Sequence, residues 1–165
     1  MDGKTLTINS TGVELENVED AIIILAQSSG TDSVKLTNCK NIITLKVENG
    51  STNNLTIDAS HIESIQIENG NVKITLKDDT QISEVAVKAD GTSIDSVKTS
   101  DDEDAKAPAI ENIKVGNAAD GVTVSGGTIN KIEVETETKD GETASAPAIN
   151  ITGETEINDI SAVTA

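Results

Sequence analysis

The 165-residue sequence predicts a single all-β domain over residues 1–165: a parallel β-helix, or β-solenoid, of about 20-residue coils with two or three short strands in each. Three observations carry this expectation. Gly30, Gly50 and Gly70 are 20 residues apart, and Gly91 follows at 21. An apolar signature at i, i+3 and i+5 recurs at the same interval. The apolar residues include 21 Ile, 13 Val and 7 Leu with no Phe, Tyr or Trp, a β-branched set that favours strands and fills a narrow interior of repeated cross-section.

The i, i+3, i+5 signature reads Ile42, Leu45, Val47, then Ile62, Ile65, Ile67, then Ile82, Val85, Val87. It returns as Ile110, Ile113, Val115, as Ile129, Ile132, Val134 and as Ile157, Ile160, Ala162. The first copy, Ile22, Leu25, Gln27, is imperfect. A second signature, two apolar residues flanking one other, precedes most copies: Val13-x-Leu15, Val34-x-Leu36, Leu55-x-Ile57, Ile74-x-Leu76, Val122-x-Val124 and Ile149-x-Ile151. Alternation within such short runs gives one inward and one outward face. Asn-Gly and Asp-Gly at the coil ends supply the positive φ of tight bends.

Residues 18–27 have a competing helical reading, with Val18, Ala21, Ile22 and Leu25 at helical spacing, Asn17 as cap and Gly30 as stop. The β-branched run Ile22-Ile23-Ile24 favours a strand, with a short capping helix as the alternative. Two polar segments, residues 98–106 and 135–143, interrupt the repeat. Each leads into the tetrapeptide Ala-Pro-Ala-Ile, at Ala107–Ile110 and Ala146–Ile149. Both are expected to be exposed loop insertions that project on one side, about one coil apart.

The segment Gly121-Val122-Thr123-Val124-Ser125-Gly126-Gly127-Thr128-Ile129 and the Ala-Pro-Ala-Ile re-entries resemble the repeat style of bacterial cell-surface or secreted parallel β-helix proteins, over residues 92–165 most closely. The resemblance implies a right-handed parallel β-helix from an exported or cell-wall-associated bacterial protein. It implies no catalytic residue.

Charge is lopsided, with 29 Asp and Glu against 12 Lys and no Arg. The net charge of −17 argues against nucleic acid and anionic membrane surfaces as partners and favours solubility. Such acidity in an aromatic-free chain also fits disorder, but the regular placement of Ile, Val and Leu argues for a fold. No apolar run is long enough for a membrane-spanning helix. The Met-Asp-Gly start lacks the basic and apolar regions of a signal peptide, so an export signal is expected to be absent from this sequence.

Chemistry-bearing residues are scarce. His61 is the single histidine and Cys39 the single cysteine, so neither a disulfide within the chain nor a two-histidine metal site can form. Their separation of about one coil brings them to matching bends. A Cys–His pair is conceivable there, but an exposed bend histidine and a small buried apolar cysteine are the simpler reading. The run Asp101, Asp102, Glu103, Asp104 is a weak candidate for Ca²⁺, but it lacks the spaced ligands of known calcium loops, and a solvated loop is favoured. Thr5-x-Thr7 and Thr136-x-Thr138 do not repeat at coil spacing, which discounts an ice-binding ladder. Asn9, Asn54 and Asn150 open chance matches to the N-glycosylation pattern. No catalytic residue, metal or cofactor is expected. The expected role is a non-catalytic structural or adhesin-type module of an exported bacterial surface protein, extracellular or bound to the cell wall, with a protein or glycan partner. The alternatives are a carbohydrate-binding or polysaccharide-processing β-helix and an intracellular polymerising scaffold.

Overall fold

The structure is a computed structural model that describes residues 3–10, 12–26, 33–48, 54–116, 121–136 and 147–164. Among these residues there is no helix. Fifteen strands follow one another: β1 (Lys4–Ile8), β2 (Val13–Glu16), β3 (Ala21–Leu25), β4 (Ser33–Thr37), β5 (Thr44–Val47), β6 (Asn54–Asp58), β7 (His61–Ile67) and β8 (Lys73–Leu76). They continue as β9 (Gln81–Val87), β10 (Thr92–Ser96), β11 (Ala109–Val115), β12 (Val122–Ser125), β13 (Thr128–Thr136), β14 (Ile149–Thr152) and β15 (Glu156–Thr164).

The odd-numbered strands form one eight-stranded sheet and the even-numbered strands a seven-stranded sheet, each stacked in chain order with every pairing parallel. The chain therefore alternates between two parallel sheets, as a parallel β-solenoid requires. No strand described here pairs with its chain neighbour, so the backbone hydrogen bonds that order each strand come from residues well removed along the chain, as from Lys4 to Ala21 or from Thr92 to Val122.

Three columns of the eight-stranded sheet make half of the core. One runs Leu6, Ile23, Leu45, Ile65, Val85, Ile113, Ile132, Ile160. A second runs from Ile8 through Leu25, Val47, Ile67, Val87, Val115 and Val134 to Ala162. The third is Ile42, Ile62, Ile82, Ile110, Ile129, Ile157. The signature residues from Ile42 to Val134 are all buried. The three-residue step from Ile62 to Ile65 works because Glu63 and Ser64 both face outward, bending the strand between two inward positions.

The first signature copy is corrected. Ile23 and Leu25, with Ala21, occupy the buried positions of β3, whereas Ile22 is half-buried on the outer side and Gln27 lies outside the described residues. β3 alternates strictly from Ala21, with no bend to absorb a three-residue step. The last copy keeps its columns but not its burial: in β15, the edge strand among the described residues, Ile157 is partly covered, Ile160 is 53% exposed and Ala162 is exposed.

The seven-stranded sheet supplies the facing column Val13, Val34, Leu55, Ile74, Ile94, Val124, Ile151. Beside it run Leu15, Leu36, Ile57 and Leu76, and there the second signature is corrected: Val124, not Val122, continues the Ile74 column, through Ile94. Val122 pairs with Thr92, a buried residue whose Oγ1 donates to the Ala89 carbonyl at 3.4 Å. Where Leu76 would be continued, the chain places Ser96 and then Gly126-Gly127, so the seven-stranded sheet ends one side chain earlier. A Cβ on Gly126 would stand 2.3 Å from the Ser96 carbonyl oxygen, and one on Gly127 would stand 2.8 Å from that of Pro108. Both glycines have positive φ, so this pair is required by approach and by conformation alike.

Gly91 and Gly121, each after an Asp, have the expected positive φ of 69° and 80°, but the corners from the seven-stranded to the eight-stranded sheet use other residues. Asn17, Asn38, Ala59 and Asp79 occupy one left-handed position at successive corners, with φ between 45° and 57°. Asn and Asp tolerate this conformation through local hydrogen bonding. At the Asn69-Gly70 bend the left-handed residue is Asn71, not the glycine.

The columns set a measurable contrast. Ile65→Ala should cost about 2–5 kcal/mol, because Ile65 is fully enclosed between Leu45 and Val85. Ile160→Ala, in the same column but at its bare end, should cost less than about 1 kcal/mol. Urea unfolding of the two variants checks this; equal losses would contradict the register.

Candidate functional site

The corners that lead from the seven-stranded to the eight-stranded sheet gather most of the polar chemistry. Their innermost column is Cys39, Ser60, Thr80 and Pro108, all buried. Ser60 Oγ accepts from the Cys39 N–H at 3.0 Å and donates to the Asp58 carbonyl at 2.7 Å. Thr80 Oγ1 donates to the Ile57 carbonyl at 3.3 Å, and Cys39 Sγ lies 3.6 Å from the Thr37 carbonyl oxygen. These short side chains satisfy backbone groups that the corner would otherwise bury unpaired. Pro108 fits because the N–H at this position does not bond to the neighbouring strand: that of Cys39 goes to a side chain and that of Thr80 to the local Lys77 carbonyl.

His61 stands one residue further along, in an outward column with Lys40, Gln81 and Ala109. Its N–H donates to the Cys39 carbonyl at 2.9 Å, but its ring is on the exposed side and the Cys39 thiol on the buried side. The structure thus brings the two residues to stacked corners, as their spacing implies, and points their side chains apart. A shallow depression of about 360 Å³ lies over this corner, lined by Glu19, Lys40, Asn41, His61, Asp79 and Gln81. A second, of about 310 Å³, shares His61 and Gln81 and extends to Ser83 and Glu111.

The first insertion, residues 98–106, is exposed except for half-buried Ser100 and Ala105. It is pinned at its base by the turn beneath it. Asp78 accepts from the Thr99 N–H at 2.8 Å and from the Thr99 hydroxyl. Asp79 Oδ1 accepts from the Lys106 N–H at 3.0 Å, while the Asp79 N–H donates to the Lys106 carbonyl at 2.9 Å. Two adjacent carboxylates therefore hold the two ends of the loop. The Thr99 hydroxyl first, then backbone N–H groups, hold the Asp78 carboxyl below its usual range.

Within the loop, Asp101, Asp102, Glu103 and Asp104 are all exposed. Asp102 Oδ1 accepts from the Asp104 N–H at 3.0 Å, and Ser100 Oγ from the Asp102 N–H at 3.1 Å, so these groups shape a local turn. Among the described residues no three acidic, His or Cys side chains converge to hold a metal ion. The second insertion, 135–143, lies outside the described residues apart from Glu135 and the backbone of Thr136.

The expectation that both insertions project on one side rests on the second insertion as well, which lies outside the described residues. Residues 98–106 join β10 to β11, leaving the seven-stranded sheet, whereas residues after Thr136 join β13 to β14, leaving the eight-stranded sheet. The two Ala-Pro-Ala-Ile segments likewise enter different sheets.

The outer face of the eight-stranded sheet is laced by charge pairs between neighbouring strands. Lys114 lies 2.7 Å from Glu84, Lys46 lies 3.2 Å from Glu68, and Asn112 Nδ2 donates to Glu133 at 2.8 Å. Glu84 raises the Lys114 pKa, chiefly by its hydrogen bond; Glu68 and then Glu48 do the same for Lys46. Lys131 first and Asn112 second lower that of Glu133. These side chains are half-buried at the sheet surface, still in contact with water, and the pairs contribute little stability individually. They do relieve like-charge contact between stacked strands. No helix among the described residues is long and apolar enough to cross a membrane. No family model, curated protein or solved structure matches the chain.

Asp78 offers a pH-dependent readout of the loop clamp. Its lowered pKa means that the clamp is complete above the ordinary carboxylate range and is lost as the pH falls through the folded-state value. Thr99→Val removes the hydroxyl donor and should move the Asp78 titration upward, as followed by carboxyl-detected NMR. An unchanged titration would show that the hydroxyl does not hold the carboxylate.

Proposed function

We propose that the chain is a non-catalytic structural or adhesin-type interaction module of an exported bacterial surface protein. In this reading it is a right-handed parallel β-helix of about 20-residue coils that works outside the cell or at the cell wall. The carrying observation is the first insertion: a loop exposed along almost its whole length, anchored at both ends by Asp78 and Asp79 to a frame with a purely aliphatic core. Such a frame holds a loop in place while leaving its tip free to contact a partner. The frame itself displays short polar and paired charged side chains, with little to specify chemistry.

The corner depressions at His61 favour a second reading, a carbohydrate-binding or polysaccharide-processing β-helix. Their linings of Glu19, Lys40, Asn41 and Gln81 can hydrogen-bond a polar chain laid along the stack. Sugar rings are usually held by stacking on aromatic faces, and this chain has none, so the loop reading is preferred.

Exchanging the loop separates the frame from the function. The corner Lys77-Asp78-Asp79-Thr80 makes the same crossing in four residues. Replacing residues 98–106 by one Asn leaves a corner of equal length, from Val97 through Ala107 and Pro108. The variant should keep its β circular dichroism and a melting midpoint within about 5 °C of the parent, since each strand bonds chiefly to its stacked neighbours. Attachment to bacterial or host surfaces, or to arrayed glycans, should be lost. Unchanged attachment by the shortened chain would refute the adhesin reading, and attachment lost on Gln81→Ala instead would favour the corner.

A further inference from the structure

Glu133 holds two nitrogens on one carboxylate. Its Oε1 accepts from the Lys131 ammonium at 2.5 Å, and its Oε2 accepts from the Asn112 amide Nδ2 at 2.8 Å. The stack brings these groups together. Asn112 in β11 and Lys131 in β13 are register partners on the outer face, on strands roughly 4.8 Å apart. Glu133 follows two residues after Lys131 on the same face, and all three side chains are half-buried. Asn112 Oδ1 is buried with no hydrogen-bond partner among the described residues, so the bond to Glu133 alone sets the direction of this amide. Lys46 and Gln66 are also register partners. There Lys46 pairs with Glu48 and Glu68, and among the described residues the Gln66 amide bonds to neither carboxylate.

We propose that Lys131 and Asn112 join in an amide cross-link between β11 and β13, formed by the chain itself with Glu133 as the proton carrier. Glu133 Oε1 takes a proton from the Lys131 ammonium and frees the amine. Nζ attacks Asn112 Cγ, the Nζ–Cγ bond forms and the Cγ–Nδ2 bond breaks. The protons removed from Nζ pass through the same carboxylate to Nδ2, which it already touches. The leaving group departs as ammonium, and Glu133 ends ionised, as it began. One ammonium is consumed and one is released, so the step needs no oxidant, metal or second molecule. Side-by-side placement on the ladder replaces a bimolecular encounter between amine and amide. The contacts that lower the Glu133 pKa, Lys131 first and Asn112 second, keep the carboxylate ionised and able to accept. An amine attacks only when unprotonated, so the reaction speeds up as the pH approaches the ordinary lysine range. The product ties β11, the strand into which the exposed loop returns, covalently to its stacked neighbour.

Mass spectrometry of the full chain tests this. After incubation at pH about 9, near the lysine range, the folded parent should be lighter by one ammonia. A tryptic digest should then contain one branched peptide, Ala107–Lys114 joined at Asn112 to Lys131 of Val115–Lys139, because trypsin does not cut after an acylated lysine. Lys131→Arg keeps the charge but supplies no amine, and Glu133→Gln removes the proton carrier. Neither variant should yield the branched peptide, while both keep the β circular dichroism of the parent. If Glu133→Gln disturbs the fold, Glu133→Asp, which draws the carboxylate back from both nitrogens, serves in its place. Succinimide formation at Asn69-Gly70 also sheds ammonia, but it gives no branched peptide and does not respond to Lys131→Arg. A parent digest without the branched peptide overturns the proposal. A Glu133→Gln chain that forms it at the parent's rate overturns it too, since the carboxylate would then carry no proton.

Discussion

The structure depends on the parallel backbone ladder between strands about one coil apart in the sequence. A strand here has no hairpin partner. Ile65 in β7 is ordered only because β5 lies on one side and β9 on the other. Such a ladder is stable only if each new strand presents apolar groups where the last one did, since a slip of one residue would turn the whole inner face outward. The aliphatic composition follows from this demand. Ile, Val and Leu of similar size can succeed one another down a column without changing its width, whereas a single Trp or Phe would force neighbouring coils apart.

The corners solve the second problem, of reversing the chain every few residues without burying unpaired backbone. They do so with left-handed Asn, Asp and, once, Ala in one column and with small residues in the next: Cys39, Ser60, Thr80, Pro108 and Gly127. Cys39 belongs to this set as a small buried side chain. The same economy explains how the stack tolerates an inserted loop. The corner position after β10 can open into residues 98–106 and close again at Pro108, because the proline gives up an N–H that its neighbours do not use between strands. Asp78 and Asp79, from the corner below, then fix the loop ends.

Much of this was legible in the sequence, and the misreadings have physical causes. The columns from Ile42 to Val134 follow from a signature that repeats with little variation. The phase of β3 does not, because Ile22-Ile23-Ile24 offers an apolar residue to either face and only pairing with β5 selects Ile23. Val122-x-Val124 matches the second signature but sits two residues out of step with Ile74-x-Leu76, and a two-residue shift keeps the same face inward, so hydrophobicity cannot detect it. The strand at Thr92–Ser96 escaped the pattern since one of its buried residues is a threonine. The sheet from which the first insertion leaves needed the membership of β10, which the segment does not encode locally. The anchoring by Asp78 and Asp79 was equally hidden: Asp78-Asp79 reads as one more acidic pair in an acidic chain until the strand 20 residues later is laid beside it.

A stack held by nearest-neighbour ladders should be most resistant at its centre and fray from its ends. Native-state amide hydrogen exchange at low ionic strength and low concentration reads this strand by strand. The account predicts the strongest protection in β7 and β9, declining through β3 and β13 to the weakest in β1 and β15. Uniform protection across all the strands, or a maximum in a terminal strand, would contradict the parallel ladder as the source of the fold's stability.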